Sequence, residues 1–245
     1  MRTAKFLACL LPLLAGAAHA QDPRSVKSPD GQLEFRIFSK LPDGELFNCL
    51  AYQVWLRGKP LLDTSFLGLV IHDQEPVLGE NTGLSRDTPL HEAGYNGIWL
   101  DYYQVSTTGK RIQIEVRVWN DGVAFRYTVP VSPLLYDLNL EDDTTQFRFP
   151  KGVGGLPDHP TVPYVGEVPG QGWVGIYEST IAGFPKAQLM RFDERTLAIH
   201  LPEMPKVPRV AFQTRTPWTS PWRIIALGSD REGVAKSQIL GDLAK

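Results

Sequence analysis

Disulfide bonding is the first thing this sequence excludes. It holds two cysteines, Cys9 and Cys49, and Cys9 falls in the leader described below. A mature chain therefore keeps one thiol and closes no internal bridge, so its stability must come from an ordinary apolar core. Positive charge is not in excess either, with 25 Lys and Arg against 27 Asp and Glu. Losing Arg2 and Lys5 with the leader leaves 23 against 27, a mildly acidic balance that argues against nucleic acid as a partner. After residue 20 no apolar run approaches the ~20 residues that cross a bilayer, so the mature chain is expected to be soluble and off the membrane.

Helical periodicity is scarce: only residues 233–243, with Val234, Ala235, Ile239, Leu240 and Leu243, carry the spacing of one short amphipathic helix. No repeat or low-complexity tract occurs, and no Gly-x-Ser-x-Gly elbow, phosphate loop or Gly-x-Gly-x-x-Gly opens a helix. The histidines after the leader, His72, His91, His159 and His200, show no i, i+4 pairing and no Cys or Glu at metal-ligand spacing, which argues against zinc.

What is present begins with the leader. Arg2 and Lys5 precede an apolar run over residues 6–17, and Ala18-His19-Ala20 closes it. That is the layout of a secretory signal peptide cut after Ala20, and the run is too short to anchor in a bilayer. Its short amino end and Ala-x-Ala site fit bacterial export, so the periplasm is the expected compartment of a mature domain spanning residues 21–245.

In Arg111–Trp119, Ile112, Ile114, Val116 and Val118 alternate with Gln113, Glu115 and Arg117, the period-two pattern of a strand with one buried face. Asn120, Asp121 and Gly122 supply a turn, and Val123, Phe125, Tyr127 and Val129 then alternate with Ala124, Arg126 and Thr128, which completes a β-hairpin. Shorter runs of the same kind recur at residues 33–38, 50–56, 66–71, 173–177, 196–200 and 223–227. Pro, Gly, Asp and Asn clusters separate them, and the 20 prolines and 22 glycines punctuate strands and break helices. The pattern predicts one large all-β sandwich or barrel. Residues 130–164, rich in Pro, Gly and Asp, read as a long connection over it.

Several segments, taken in order, resemble one family. Ser28-Pro29-Asp30-Gly31 precedes the first strand, Gly58-Lys59-Pro60-Leu61-Leu62 follows the second, and Leu67-Gly68-Leu69 lies in the third. Val118-Trp119-Asn120-Asp121-Gly122-Val123-Ala124-Phe125-Arg126-Tyr127 forms the hairpin. Ile176-Tyr177-Glu178 with Ile181 and Phe184-Pro185 follows, and Ser220-Pro221-Trp222-Arg223-Ile224-Ile225 comes last. Their order and spacing are similar to the N-terminal domain of glycoside hydrolase family 97. The resemblance implies a β-supersandwich of two packed, mainly antiparallel sheets, of the galactose-mutarotase-like and lectin-like kind.

It also implies the company of a (β/α)₈ barrel, in which family members with α-glucosidase or α-galactosidase activity carry their acid, base or nucleophile. Such a barrel takes about 250 residues that this sequence does not contain, so no catalytic residue is carried over. Glu178 is the position that the resemblance assigns to a Ca²⁺ beside the active site. Since Ca²⁺ takes six to eight oxygen ligands and the others would come from the barrel, tight binding by Glu178 alone is not expected.

Among the remaining residues, Glu141, Asp142 and Asp143 form an acidic run. Neighbours in sequence seldom face each other across a sugar and the run misses the calcium-loop spacing, so it reads as a solvated loop. Tyr95-Asn96-Gly97-Ile98-Trp99 reads as turn-like and exposed, which makes Tyr95 and Trp99 the candidates for stacking on carbohydrate. His159, in the long connection, could reach a ligand. Arg223 reads as structural, paired with a buried carboxylate or carbonyl. The expectation is a non-catalytic module that binds carbohydrate or supports a separate glycosidase barrel. The alternatives are a carbohydrate-active enzyme working in the sandwich cleft and a truncated remnant of a full-length α-glucosidase.

Overall fold

The computed structural model describes residues 23–105 and 109–244; the expected signal peptide and Cys9 lie outside the described residues. The chain first lays down a meander of β1 (Arg24–Lys27), β2 (Leu33–Lys40), β3 (Cys49–Leu56) and β4 (Lys59–Leu67), then a small hairpin of β5 (Leu69–Ile71) and β6 (Gln74–Leu78). It crosses to a second layer with β7 (Thr82–Glu92), β8 (Tyr95–Gln104), β9 (Arg111–Trp119) and β10 (Gly122–Val129). β11 (Asp137–Asp143) returns to pair with β5, and β12 (Gln146–Arg148) lies against β4. β13 (Tyr164–Val168) and β14 (Gly172–Glu178) extend the second layer. β15 (Gln188–Arg191) and β16 (Thr196–His200) join β12, and β17 (Phe212–Arg215) pairs with β11. β18 (Trp218–Thr219) and β19 (Arg223–Gly228) both pair with β10, and α1 (Arg231–Ala235) and α2 (Gln238–Leu243) close the chain.

The large sheet has the order β13-β14-β19-β10-β9-β8-β7. The hairpin read from the sequence is at its centre, with the register Val123↔Val118 and Phe125↔Val116. Its inward residues, Ile112 to Val118 and Val123 to Val129 at every second position, are buried against Leu33, Phe35, Ile37, Leu50, Tyr52 and Val54 of the first layer. Phe35 stacks on Tyr52 with ring centroids 5.3 Å apart, and Tyr52 meets Phe125 across the layers at 5.2 Å. Burying each such side chain is worth about 1.5–3 kcal/mol. Their polar atoms are satisfied in place: Tyr52 Oη donates to the Gln146 carbonyl at 2.7 Å, and Tyr127 Oη lies 2.6 Å from Thr145 Oγ1.

On the sheet's outer face Trp119, Ala124, Trp222, Ile224 and Ala226 form a second apolar cluster, on which Val234 and Ile239 of the helices sit. Asp121 accepts the backbone N–H groups of Gln238 and Ile239, and Trp119 Nε1 donates to Asp242 at 3.0 Å. Gly122 has no room for a side chain, since a Cβ there would stand 2.7 Å from Ile239 Cγ2 and 2.8 Å from the Ile225 carbonyl. The expected helical segment thus exists, divided at Lys236 and Ser237 into two short pieces.

Three expectations are corrected. Tyr95-Asn96-Gly97-Ile98-Trp99 is not a turn but the start of β8. Gly97 is there because a Cβ would stand 2.6 Å from the Val116 carbonyl, so the Asn-Gly pair marks close strand approach, while Ala93 and Gly94, at φ 99°, make the turn. Residues 130–164 are not one connection, because they contain β11 and β12, with Leu138, Leu140 and Phe147 buried. Glu141, Asp142 and Asp143 are consequently not a solvated loop: they end β11, and Asp143 is sealed inside.

Candidate functional site

The chemistry-bearing residues converge where β11, β14 and β19 meet. Alternation along β19 turns Trp222 to the outer face and Arg223 inward, and the sheet register sets Glu178 directly beside Arg223. Arg223 is fully buried. Its Nε and Nη2 donate to Asp143 Oδ2 at 3.1 and 2.7 Å, and its Nη1 donates to Glu178 Oε1. Asp143 Oδ1 accepts from Thr145 N at 2.8 Å and Thr145 Oγ1 at 2.5 Å, which carries the network on to Tyr127. Glu178 Oε2 accepts from Ala187 N at 3.0 Å.

Burial alone would pull the Arg223 guanidinium down, but the charges of Asp143 and Glu178 outweigh it and the net shift is upward. Burial pushes the Tyr127 and Tyr52 phenols well up, and the Asp143 charge adds to both.

Glu178 also borders a pocket of about 210 Å³ with Ile181, Phe184 and Pro221 on its walls. Beside it runs an open groove of about 880 Å³ between residues 158–162 and β15, and both share Val162, Pro185 and Lys186. His159 lines this groove. The pocket does not fit a calcium ion. Glu178 already accepts hydrogen bonds on both oxygens, a guanidinium stands where a cation would approach, and the neighbouring carboxylate, Asp143, is held by the same arginine. Among the described residues no group of three or more His, Cys, Asp and Glu is placed to hold a metal.

The aromatic candidates lie elsewhere, on the outer face. Tyr95 packs on Trp119 at 4.7 Å between centroids and lies under the Arg117 guanidinium at 4.9 Å. Arg117 and Arg126 also cover Trp222, at 4.7 and 4.4 Å, and Glu115 accepts from both. Trp99 is half-buried in β8, directly across from Glu115 and Thr88. The structure thus separates Tyr95 and Trp99 from Glu178. His72 pairs with Glu141 at 2.6 Å and His200 with Asp142 at 2.9 Å, and His91 is exposed. Sequence reasoning missed Asp143. Its signal was the alternation of Leu138 and Leu140 with polar residues, which a bulge opposite β5 at Glu141 then shifts by one.

This arrangement defines a class: a β-supersandwich domain whose most deeply buried charges join its strands instead of facing a ligand. The Glycosyl-hydrolase 97 N-terminal family matches residues 26–155, more than half of the chain, and the chain belongs to that family. No curated protein matches it. Among solved structures it is similar to a Glycoside Hydrolase Family 97 enzyme in complex with acarbose from Pseudoalteromonas sp. strain K8, with a TM-score of 0.73 and 16% identity over 91% of this chain and 38% of that one. It is also similar to a beta-arabinopyranosidase, with a TM-score of 0.71 and 20% identity over 90% of this chain and 42% of that one. The chain therefore spans about two fifths of the length of these enzymes, and at such identities the likeness is one of fold.

Proposed function

We propose that this chain is a non-catalytic module that packs against the catalytic domain of a family 97 glycosidase, with α-glucosides or α-galactosides as substrates of the pair. One observation carries the reading: Asp143 of β11 and Glu178 of β14, the two carboxylates of the inner site, are both spent on Arg223. Glycoside hydrolysis needs two carboxyl groups about 5–9 Å apart across an open sugar site, and two carboxylates clamped on one buried guanidinium cannot serve as that pair. Ile181, exposed on the pocket rim, and Phe184 behind it offer apolar surface to a neighbouring domain.

Sugar contact, in this proposal, falls to Trp99, because Tyr95 is already occupied by Trp119 and Arg117. Calcium in the assembly would be held by the other domain.

The test is a binding and turnover screen of the purified chain on α-glucosides, α-galactosides and maltooligosaccharides, with and without calcium. The expected outcome is no hydrolysis under any condition, and weak maltooligosaccharide retention that Trp99→Ala lowers about fivefold. A separately produced family 97 catalytic domain lacking its own N-terminal domain should gain activity on p-nitrophenyl α-glucoside or α-galactoside when the chain is added. Hydrolysis by the chain alone, lost in Glu178→Gln, overturns the non-catalytic reading.

A further inference from the structure

We propose that the free edge of β15 is a strand-addition site for an extended, acidic polypeptide segment of a partner protein. The backbone register leads there. Phe192 N donates to the Thr196 carbonyl at 2.8 Å, and β15 continues that ladder with Met190↔Ala198 and Gln188↔His200. In an antiparallel pair the hydrogen-bonding residues alternate, so Gln188 and Met190 turn their backbone groups toward β16. Leu189 and Arg191 turn theirs the other way, into the 880 Å³ groove. Neither the N–H nor the C=O of either residue has a partner among the described residues. The same orientation at Ala187 is confirmed by its N–H, which Glu178 caps. The edge is closed at Ala187 and open at the next two outward positions.

An open edge is ordinarily blunted by proline or charge. β7, one outer strand of the large sheet, is blunted in this way, with Pro89 inside it and Arg86, Asp87 and Glu92 exposed. β15 contains no proline. Its one charged residue, Arg191, is held to Asp158 across the groove at 2.5 Å, and Met190 is 45% exposed with Phe192 beyond it at 66%.

The lining sets the chemistry of the occupant. Lys186 is exposed and has no ion-pair partner among the described residues, and His159 stands on the opposite wall, while Asp158 is engaged by Arg191. Main-chain pairing to Leu189 and Arg191 would supply affinity, and an acidic side chain reaching Lys186 would supply preference. The proposal stands whether or not the partner is a glycosidase domain.

The experiment follows amide hydrogen exchange of the purified chain while it is titrated with an end-blocked synthetic peptide of alternating Thr and Glu, and with its Thr and Lys counterpart. The expected result is exchange at Leu189 and Arg191 slowed about tenfold or more by the acidic peptide alone. Arg191→Pro removes one outward N–H together with the Asp158 pair, and no backbone hydrogen bond of the fold; it should weaken peptide binding about tenfold, and Arg191→Ala, which keeps the amide and loses only the Asp158 pair, by less than about threefold. Unprotected amides, or Arg191→Pro binding like the parent, overturn the site. Equal protection by both peptides overturns its acidic preference. If Arg191→Pro does not fold, protection in the parent chain decides.

Discussion

Trp222 and Arg223 are neighbours in sequence and point to opposite faces of the large sheet, and each is the hub of an arginine–carboxylate cluster. On the inner face Arg223, Asp143 and Glu178 have side chains 0%, 1% and 7% exposed. On the outer face Arg117, Arg126 and Glu115 keep 23%, 32% and 15% and lean on the Trp222 ring. The contacts are alike and their surroundings are not. Inside, water cannot replace a lost partner, so the cluster acts as a fixed joint between β11 of one layer and β14 and β19 of the other. Outside, a lost partner is replaced by solvent, and the cluster can be altered by anything that binds there. The inner charges are therefore assigned to architecture, while the outer ones stay open to solvent.

The largest effect should come from breaking the inner joint. Arg223→Met leaves two carboxylates buried without a counter-charge, a loss that costs about 3–5 kcal/mol in comparable sites and should be read as a lower urea midpoint. Adding Asp143→Asn to that variant should recover part of it, since one uncompensated charge is gone. The equivalent change outside, Arg126→Met, should cost about 1 kcal/mol or less. Equal losses at the two sites would mean that the inner cluster is not sealed from water.

A second effect sharpens the same contrast through pH. Tyr127 and Tyr52 sit against the Asp143 network with phenols pushed well above 10 by burial and by the Asp143 charge. A group whose folded value is raised contributes fully below its unfolded value, near 10, and that contribution is lost as pH rises. Above about pH 10 each should remove up to ~1.4 kcal/mol of stability per pH unit. Absorbance at 295 nm should show these two phenols ionising only together with unfolding. Titration of all the tyrosines in one step in the folded state would contradict the burial.

What the sequence made legible follows the same division. β9 and β10 were readable because one face is apolar at every second position, and β16 was read to its end at His200 as a short, continuously buried run. Arg223 was readable as a buried pairing residue because it interrupts an apolar run. β7 was not readable, because as an edge strand it exposes most of its residues and has no inward alternation. β11 escaped because its bulge breaks the period and its buried acid looks like a surface one. The run read at residues 173–177 stops one residue short of Glu178, which ends β14, and its partners come from residues 9 and 45 positions away, which no local pattern displays.

The smallest effect is a test of screening. Salt shortens the Debye length from about 10 Å at 0.1 M to about 3 Å at 1 M, and it acts on charges that water reaches. A double-mutant cycle on Arg126→Met and Glu115→Gln should give a coupling below about 1 kcal/mol at low salt that falls toward zero in 1 M NaCl. The cycle on Arg223→Met and Asp143→Asn should keep most of its coupling under the same change, because no ion enters between groups with closed contacts and no exposure. Two couplings that decline in parallel would place both clusters in one solvent environment and remove the reason for assigning them different tasks. A coupling that persists inside and vanishes outside leaves the outer cluster able to rearrange at little cost to the fold.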